Sequence, residues 1–419
     1  MILNVNRTIS QLISAIAFAL DIDEGQKLYH AWRVSIFGAE LAKTILPEER
    51  KDVFYACLLH DIGGIGFSDH IIHYLLKEEI PAEPAVLVHP LTGAEIVIQI
   101  PNMDRAAKFI LNHHEWYNGR GYPLGRQREE IPLGAQIINI SDHIDMLIRN
   151  VPAPSREDVV KAVNGWRERQ FSSALTDCAI DMLAKNTLYE ETLDKDRIAE
   201  LFQAVRDDTG EISMPAGVDA IGIACEVFSQ LIDTKHHYTI GHSKRVSRSS
   251  LLIGLDMGLT HDELTKIKWA GLLHDVGKLG ISRKLLDKPG RLTPEEYELM
   301  KSHSVLTREI LEMITDFKEI AIMASADHER YDGKGYPYGL KGEDVSLGAR
   351  IITLVDAFDA MTSDRSYRRA MSADEACEEV RKNSGTQFDP AVVKSALPIL
   401  RSLNTVKDAL AKEQMTGRA

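Results

Sequence analysis

Asp327-His328-Glu329-Arg330-Tyr331-Asp332-Gly333-Lys334-Gly335-Tyr336-Pro337 is one of two matching stretches in this chain, and the other is His113-His114-Glu115-Trp116-Tyr117-Asn118-Gly119-Arg120-Gly121-Tyr122-Pro123. Each sets metal-ligating residue types, a His preceded by His or Asp, directly ahead of a Gly-Lys/Arg-Gly-Tyr-Pro loop. Glycine admits φ > 0 and proline fixes φ, so such a loop turns sharply. It presents a Tyr and a cation beside the ligands, which predicts a metal site with a lid for a negatively charged substrate.

The match extends well beyond the loop. His274 follows His60, Asp275 follows Asp61, His303 follows His89, His328 follows His114, Pro337 follows Pro123 and Asp356 follows Asp142, each by 214 positions. Upstream the offset is 212, where His242 and His30 each open a His-x-x-Arg-Val-Ser string, and downstream it is 217, from Phe171 to Phe388. Matched blocks separated by small insertions are what a duplicated domain leaves behind.

A chain of 419 residues has room for two to three domains, each with its own core. Its 44% apolar and 26% charged residues are those of an ordinary globular protein. The net charge of −13 argues against a broad basic face for extended nucleic acid, so an anionic substrate has to be met by local cations or metals. The cysteines Cys57, Cys178, Cys225 and Cys377 are isolated, which fits buried thiols in a reducing compartment. No apolar run approaches the roughly 18 to 20 residues needed to span a bilayer. The segment from Leu12 to Leu20 superficially resembles a short signal peptide, but its counterpart around Cys225 to Asp233 lies mid-chain, so it reads as a helix leading to the first His.

Helical periodicity dominates. His30, Val34, Phe37, Leu41 and Ile45 recur at spacings of three and four, which places His30 on an inward stripe. Pro47 opens a helix that ends at His60-Asp61, Gly93 is the expected start of the next, and Met103 to His114 is expected as a helix delivering the paired histidines. Asp142 sits in the apolar run Pro132 to Met146, where an ionised carboxylate needs a partner. Strand signals are scarce, so the expected fold class is all-α. Two tandem helical domains are expected, at residues 1–185 and 216–403, with a charged, solvated helical linker at 186–215 and a frayed polar tail at 404–419.

Two equivalent ligand sets follow from the repeat. In the second copy it is His242, His274, Asp275, His303, Asp327, His328 and Asp356; in the first it is His30, His60, Asp61, His89, His113, His114 and Asp142. Taken singly, any one of these histidines is better explained as a satisfied core or surface residue, and Asp142 or Asp356 as the partner of an arginine. The recurrence of all seven positions outweighs that reading. Imidazole and carboxylate without thiolate suit Fe, Mn, Ni or Zn, and seven ligands suit two divalent ions, with an Asp such as Asp275 bridging them. A pair of ions can activate water and clamp a phosphoryl group, which predicts phosphoester hydrolysis.

The series His274-Asp275-Val276-Gly277-Lys278, His303, His328 through Pro337 and Asp356-Ala357-Phe358-Asp359-Ala360-Met361-Thr362 resembles the HD-GYP branch of the HD phosphohydrolases. The resemblance covers essentially Asp233 to Pro390. It implies hydrolysis of a cyclic dinucleotide, cyclic di-GMP or 3'3'-cyclic GMP-AMP, to linear dinucleotide or mononucleotides, at a two- or three-metal centre that often holds iron or manganese. Carried over by position, His242, His274, Asp275 and Asp356 would hold one metal, and His303, His328 and Asp327 a second bridged by Asp275. His274, Asp275 and Lys278 would then be the catalytic group. Lys278 would meet a substrate phosphate, Tyr336 would line the guanine-side loop, and Lys334, Arg365 and Arg369 would add positive charge.

Two departures stand out in the second copy. Asp327 replaces the family's usual His, and Tyr238 stands where three-metal members carry a Glu, which favours two metals. The first copy keeps all seven ligand types, yet has Gly64 in place of the lysine and no counterpart of the Ser363 to Arg369 segment. The expectation is a catalytic C-terminal domain and a regulatory or structural N-terminal domain. An HD phosphatase acting on linear nucleotides and a non-catalytic cyclic-dinucleotide receptor are the alternatives. The resemblance further implies a cytoplasmic bacterial protein with no membrane contact, whose protein partners would be a second copy or a separate signalling protein.

Overall fold

In this computed structural model the described residues are 3–23, 26–65, 67, 71, 84–149, 154–185, 188–235, 241–364 and 369–416, the side chains of 23 and 404–416 aside. They are almost wholly helical, and the only sheet among them is a hairpin of two-residue strands, Ile22–Asp23 against Gln26–Lys27. No helix among them is long and apolar enough to cross a membrane. The chain divides into two compact units, residues 3–227 and 228 onward.

In the first unit the leading helix Val5–Leu20 is capped by Asn4, whose side chain accepts from the Arg7 amide, and it buries Ile9, Leu12, Ile13 and Ile16. His30–Ile45 packs on Arg50–Leu59 and Leu133–Ile148, burying Val34, Phe37, Leu41 and Phe54 between them. The predicted stripe is therefore the core face. Pro47–Glu49 forms a separate 3-10 turn before the Arg50 helix. Helix His89–Val97 begins four residues earlier than Gly93, because Pro90 takes a first-turn position where its missing N–H costs nothing. The helix expected to reach His114 stops at Leu111, so the paired histidines stand in the turn after Asp104–Leu111.

The stretch expected as a solvated linker instead packs on this unit. Helix Ile198–Thr209 buries Ile198 and Phe202, and the Phe202 ring stacks on Trp32 at 4.4 Å and 5°. Arg50 pairs with Asp208 near the end of this helix at 2.8 Å, and Lys51 Nζ holds the strap that follows by donating to the Glu211 carbonyl at 2.7 Å. Its charged residues mark the outer face of an amphipathic helix, which a charge count alone does not distinguish from a free one.

The second unit repeats the order with His242–Asp256, His261–Leu273, Pro294–Glu312, Lys318–Ala324 and Leu347–Thr362. Helix starts are marked by capping boxes at Thr260/Glu263, Thr293/Glu296 and Ser372/Glu375. Trp269 stacks on Phe317 at 5.6 Å, and Ile267, Ile310 and Ile352 are buried in the same unit. The last helix runs Pro390–Thr416, so a helix occupies most of the stretch expected to fray. The Gly-Tyr-Pro loops are anchored alike in both units: the Tyr331 and Asp332 amides donate to the Gln387 and Thr386 carbonyls, as those of Tyr117 and Asn118 do to Gln170 and Arg169.

Candidate metal centres

In the second unit five elements converge on one point. His274 follows the last turn of His261–Leu273, and its Nδ1 lies 2.9 Å from the Gly271 carbonyl; His303, within Pro294–Glu312, holds Nδ1 2.6 Å from the Met300 carbonyl. A carbonyl only accepts, so each Nδ1 carries the hydrogen and each Nε2 is left as a bare donor atom facing inward. His242 opens its helix and turns Nδ1 to Asp359 Oδ2 at 2.7 Å. Asp359 is held in turn by Arg245, 2.7 Å from Nε and 2.9 Å from Nη2.

All seven predicted ligands come together, as His242, His274 and Asp356 on one side and His303, Asp327 and His328 on the other, with Asp275 between. Asp275 Oδ2 lies 3.6 Å from His274 Nε2 and 3.9 Å from His242 Nε2, while Oδ1 lies 3.9 Å from His303 Nε2. Each oxygen thus addresses a different trio. Lys278 Nζ sits 2.6 Å from Asp275 Oδ2. Gly277 makes this turn feasible, since a Cβ there would meet the His303 carbonyl oxygen at 1.9 Å.

The electrostatics are those of a site built for cations. Both Asp327 oxygens are buried without a hydrogen-bond partner, and burial holds this carboxyl well above its usual range. Burial disfavours the charged form of His242, but the Asp356 and Asp359 carboxylates outweigh it and raise its pKa to about 10. His303 is pushed down to about 3 by burial and by the neighbouring Lys278. An orphaned carboxyl beside the uncharged His303 imidazole fits a divalent ion, which would satisfy both.

The first unit gathers its seven residues in the same two groups, and more tightly. Asp61 Oδ2 lies 3.3 Å from His30 Nε2 and 3.4 Å from His60 Nε2; Oδ1 lies 3.3 Å from His89 Nε2 and 3.8 Å from His113 Nε2. Despite these approaches neither oxygen accepts a properly aligned hydrogen bond, and Asp142 Oδ1 and His114 Nε2 have no partner either. Burial pushes His60 down to about 3 and Asp142 up to about 7. Asp145, clasped by Arg33 and by Arg149 at 2.8 Å, orients His30 as Asp359 orients His242. In place of a lysine at position 64, Ile71 closes the space: a Cβ on Gly64 would lie 2.7 Å from its Cδ1.

The substrate-side residues are placed unevenly. Tyr336 stacks over His328 at 4.9 Å and 28°, and its twin Tyr122 over His114 at 4.8 Å and 28°. Lys334 and Arg369 are exposed, and Arg365 and Tyr238 lie outside the described residues. The sequence reading missed Asp359 and Asp145, although they share the 214-residue offset and stand three positions after Asp356 and Asp142. It also missed Glu329, which is buried and takes the Tyr338 and Leu340 amides at 2.6 and 3.1 Å, fixing the loop as Glu115 does in the first unit through Leu124 and Arg126.

HD domain family models match residues 226–392 and, separately, residues 28–147. The 3'3'-cGAMP-specific phosphodiesterase 3 of Vibrio cholerae is 28% identical, over 94% of this chain and 95% of its own length. A cyclic di-GMP phosphodiesterase of Thermotoga maritima is 37% identical, over 43% of this chain and 50% of its own. The crystal structure of a cyclic GMP-AMP specific phosphodiesterase of V. cholerae superposes with a TM-score of 0.65 at 25% identity, covering 93% of this chain and 97% of that one.

Proposed function

Because the chain belongs to the HD-domain family, as two HD domains in tandem of the HD-GYP kind, we propose that it is a metal-dependent phosphodiesterase whose C-terminal unit opens a cyclic dinucleotide. The observation that carries this reading is the placement of Asp275, with one oxygen toward each ligand trio and Lys278 Nζ beside it at 2.6 Å. His242, His274 and Asp356 would hold one ion and His303, His328 and Asp327 the other, with Asp275 between. Bound there, two divalent ions supply Lewis-acid polarisation of the phosphoryl group and activation of water.

The side chains themselves do the rest. Lys278 sets a fixed positive charge at the site, its ammonium form favoured by Asp275 against the cost of burial, where a phosphodiester oxygen must come. Asp359 and the backbone carbonyls of Gly271 and Met300 hold the imidazole tautomers. Tyr336 covers His328 and closes one side of the centre to water. Water adds to phosphorus, one P–O ester bond breaks, and the freed ribose oxygen leaves with a proton, giving a linear dinucleotide with a terminal phosphate.

Two features favour the C-terminal unit as the catalyst. It alone carries the lysine, and its His328 side chain keeps 27% of its surface open, whereas His114 is buried. The N-terminal unit is a second metal site with a structural or regulatory role. Of the two messengers, 3'3'-cyclic GMP-AMP is the first to test, because the cGAMP-specific relative matches across both units and the cyclic di-GMP relative across less than half the chain. Iron or manganese is the expected metal, given donors without sulfur. The test is metal analysis of anaerobically purified protein followed by chromatography of products from both cyclic dinucleotides. Activity that survives His274→Ala with Asp275→Ala, but not His60→Ala with Asp61→Ala, reverses the assignment of the two units.

A further inference from the structure

Beside the second centre, against the loop's Tyr336, lie two side chains that neither the ligand set nor the loop motif includes, Tyr297 and Lys301. Tyr297, in the first turns of Pro294–Glu312, is 48% exposed, a large aromatic surface left to solvent. Its ring meets Tyr336 at 6.4 Å and 77°, and Tyr336 in turn lies on His328. One turn further along the helix, Lys301 Nζ stands 5.3 Å from the Tyr297 ring and 5.8 Å from the Tyr336 ring. Its other partner is Glu298 at 2.7 Å, an exposed carboxylate of the kind that holds a lysine only weakly.

The first unit has neither residue at the equivalent positions of its sequence. Position by position, Tyr297 corresponds to Glu83 and Lys301 to Leu87, although His303 and His89 align exactly as the other ligands do. An exposed tyrosine contributes little to a core, and this one is placed only where the ligands are accompanied by Lys278. Aromatic faces next to a cation are what a nucleotide requires: every base stacks on a ring whatever its identity, and an ammonium meets the adjoining phosphate.

We infer that Tyr297, Tyr336 and Lys301 form a nucleobase platform of the C-terminal unit, on which one purine of the cyclic dinucleotide stacks while Lys301 meets the phosphate that is not being cleaved. This rests on the functional reading above and adds to it the residues that distinguish a dinucleotide from a simple phosphodiester. The platform begins one ring beyond a metal ligand, within the span of a single nucleotide, so base and scissile phosphate are engaged together. Stacking is indifferent to guanine or adenine, so the platform supplies affinity for both messengers and does not choose between them.

The experiment compares full-length wild-type, Tyr297→Ala, Tyr297→Phe and Lys301→Met proteins, each loaded with manganese. The substrates are 3'3'-cyclic GMP-AMP, cyclic di-GMP and methyl p-nitrophenyl phosphate, a diester with no base. For Tyr297→Ala we expect KM for the cyclic dinucleotides to rise about tenfold with kcat little changed, a loss about tenfold larger than any on the base-free diester, and near-complete rescue by Tyr297→Phe. Equal losses on all three substrates, or an unchanged KM for the dinucleotides, overturn the platform while leaving the phosphodiesterase reading intact. Wild-type protein that cleaves the base-free diester but neither binds nor cleaves a cyclic dinucleotide overturns both.

Discussion

His89 Nε2 and His113 Nε2 stand 3.2 Å apart, while the Nδ1 of each ring lies 2.6 Å from a backbone carbonyl, of Val86 and of Ile110 respectively. Both Nδ1 atoms therefore carry hydrogens, and two lone pairs face one another in a buried space. Protonating one of them would relieve the repulsion, but burial holds His113 below its usual range. A metal ion relieves it at no such cost. The His274→Ala, Asp275→Ala protein is thus expected to retain metal, and adding His89→Ala with His113→Ala should remove about one further ion per chain. Elemental analysis after desalting decides it, and an unchanged metal content in the four-fold variant would refute a metal role for the first unit.

Metal removal should also lower stability, because ions bind the assembled ligands and not the unfolded chain. At saturation about 100 times the dissociation constant this linkage is worth about 2.7 kcal/mol, so stripped protein should melt about 5–10 °C lower. Calorimetry before chelation, after it and after return of Mn2+ measures the effect. A melting curve indifferent to all three treatments would mean that neither cage is filled in solution.

Lys278→Ala removes the cation beside Asp275 that the first unit lacks at the equivalent position, where Gly64 stands. A charged hydrogen bond to phosphate is worth about 1.5–3 kcal/mol, so kcat/KM should fall about 10- to 100-fold with metal content preserved. If the variant instead loses its metal, Lys278 serves Asp275 and not the substrate.

Asp359→Ala leaves every ligand in place but frees the His242 ring, whose Nδ1 it holds at 2.7 Å. Loss of such an orienting carboxylate typically weakens metal affinity about 10- to 100-fold. Competition with a chromogenic chelator gives the number, and Asp145→Ala should do the same to the first unit through His30.

Gly277→Ala should be costly although it adds a single methyl group. The new Cβ would lie 1.9 Å from the His303 carbonyl oxygen and 2.7 Å from the Thr307 amide nitrogen, so backbone and not side chain has to yield. A loss of about 2–3 kcal/mol is expected in denaturant titration, together with metal loss, because the same turn carries Asp275. Alanine at Gly290, with nothing nearby, is not an equivalent control: its φ of 115° already disfavours a side chain.

The comparison of units shows where sequence reasoning reached and where it stopped. The ligand types and the repeat were legible because an offset of 214 residues, or 212 for His30 and His242, is independent of folding, and all fourteen predicted ligands converge in their two cages. Helix ends were less legible. The run to His114 breaks at Leu111, and the helix at His89 begins before Gly93, because the local hydrogen bonds of a turn are worth no more than the tertiary contacts that compete with them.

The charged stretch 186–215 shows the same limit, since Phe202 packs on Trp32, 170 positions earlier in the chain. By itself, then, the sequence determined an all-helical duplicated chain and the donor atoms available to each half, since residue type and spacing are properties of the polymer. Only the tertiary structure decided which Asp275 oxygen faces which trio, that Asp359 and Glu329 do the positioning, and that Ile71 stands where the first unit lacks a lysine. Those relations depend on direction, and direction is set by packing between segments far apart in the chain.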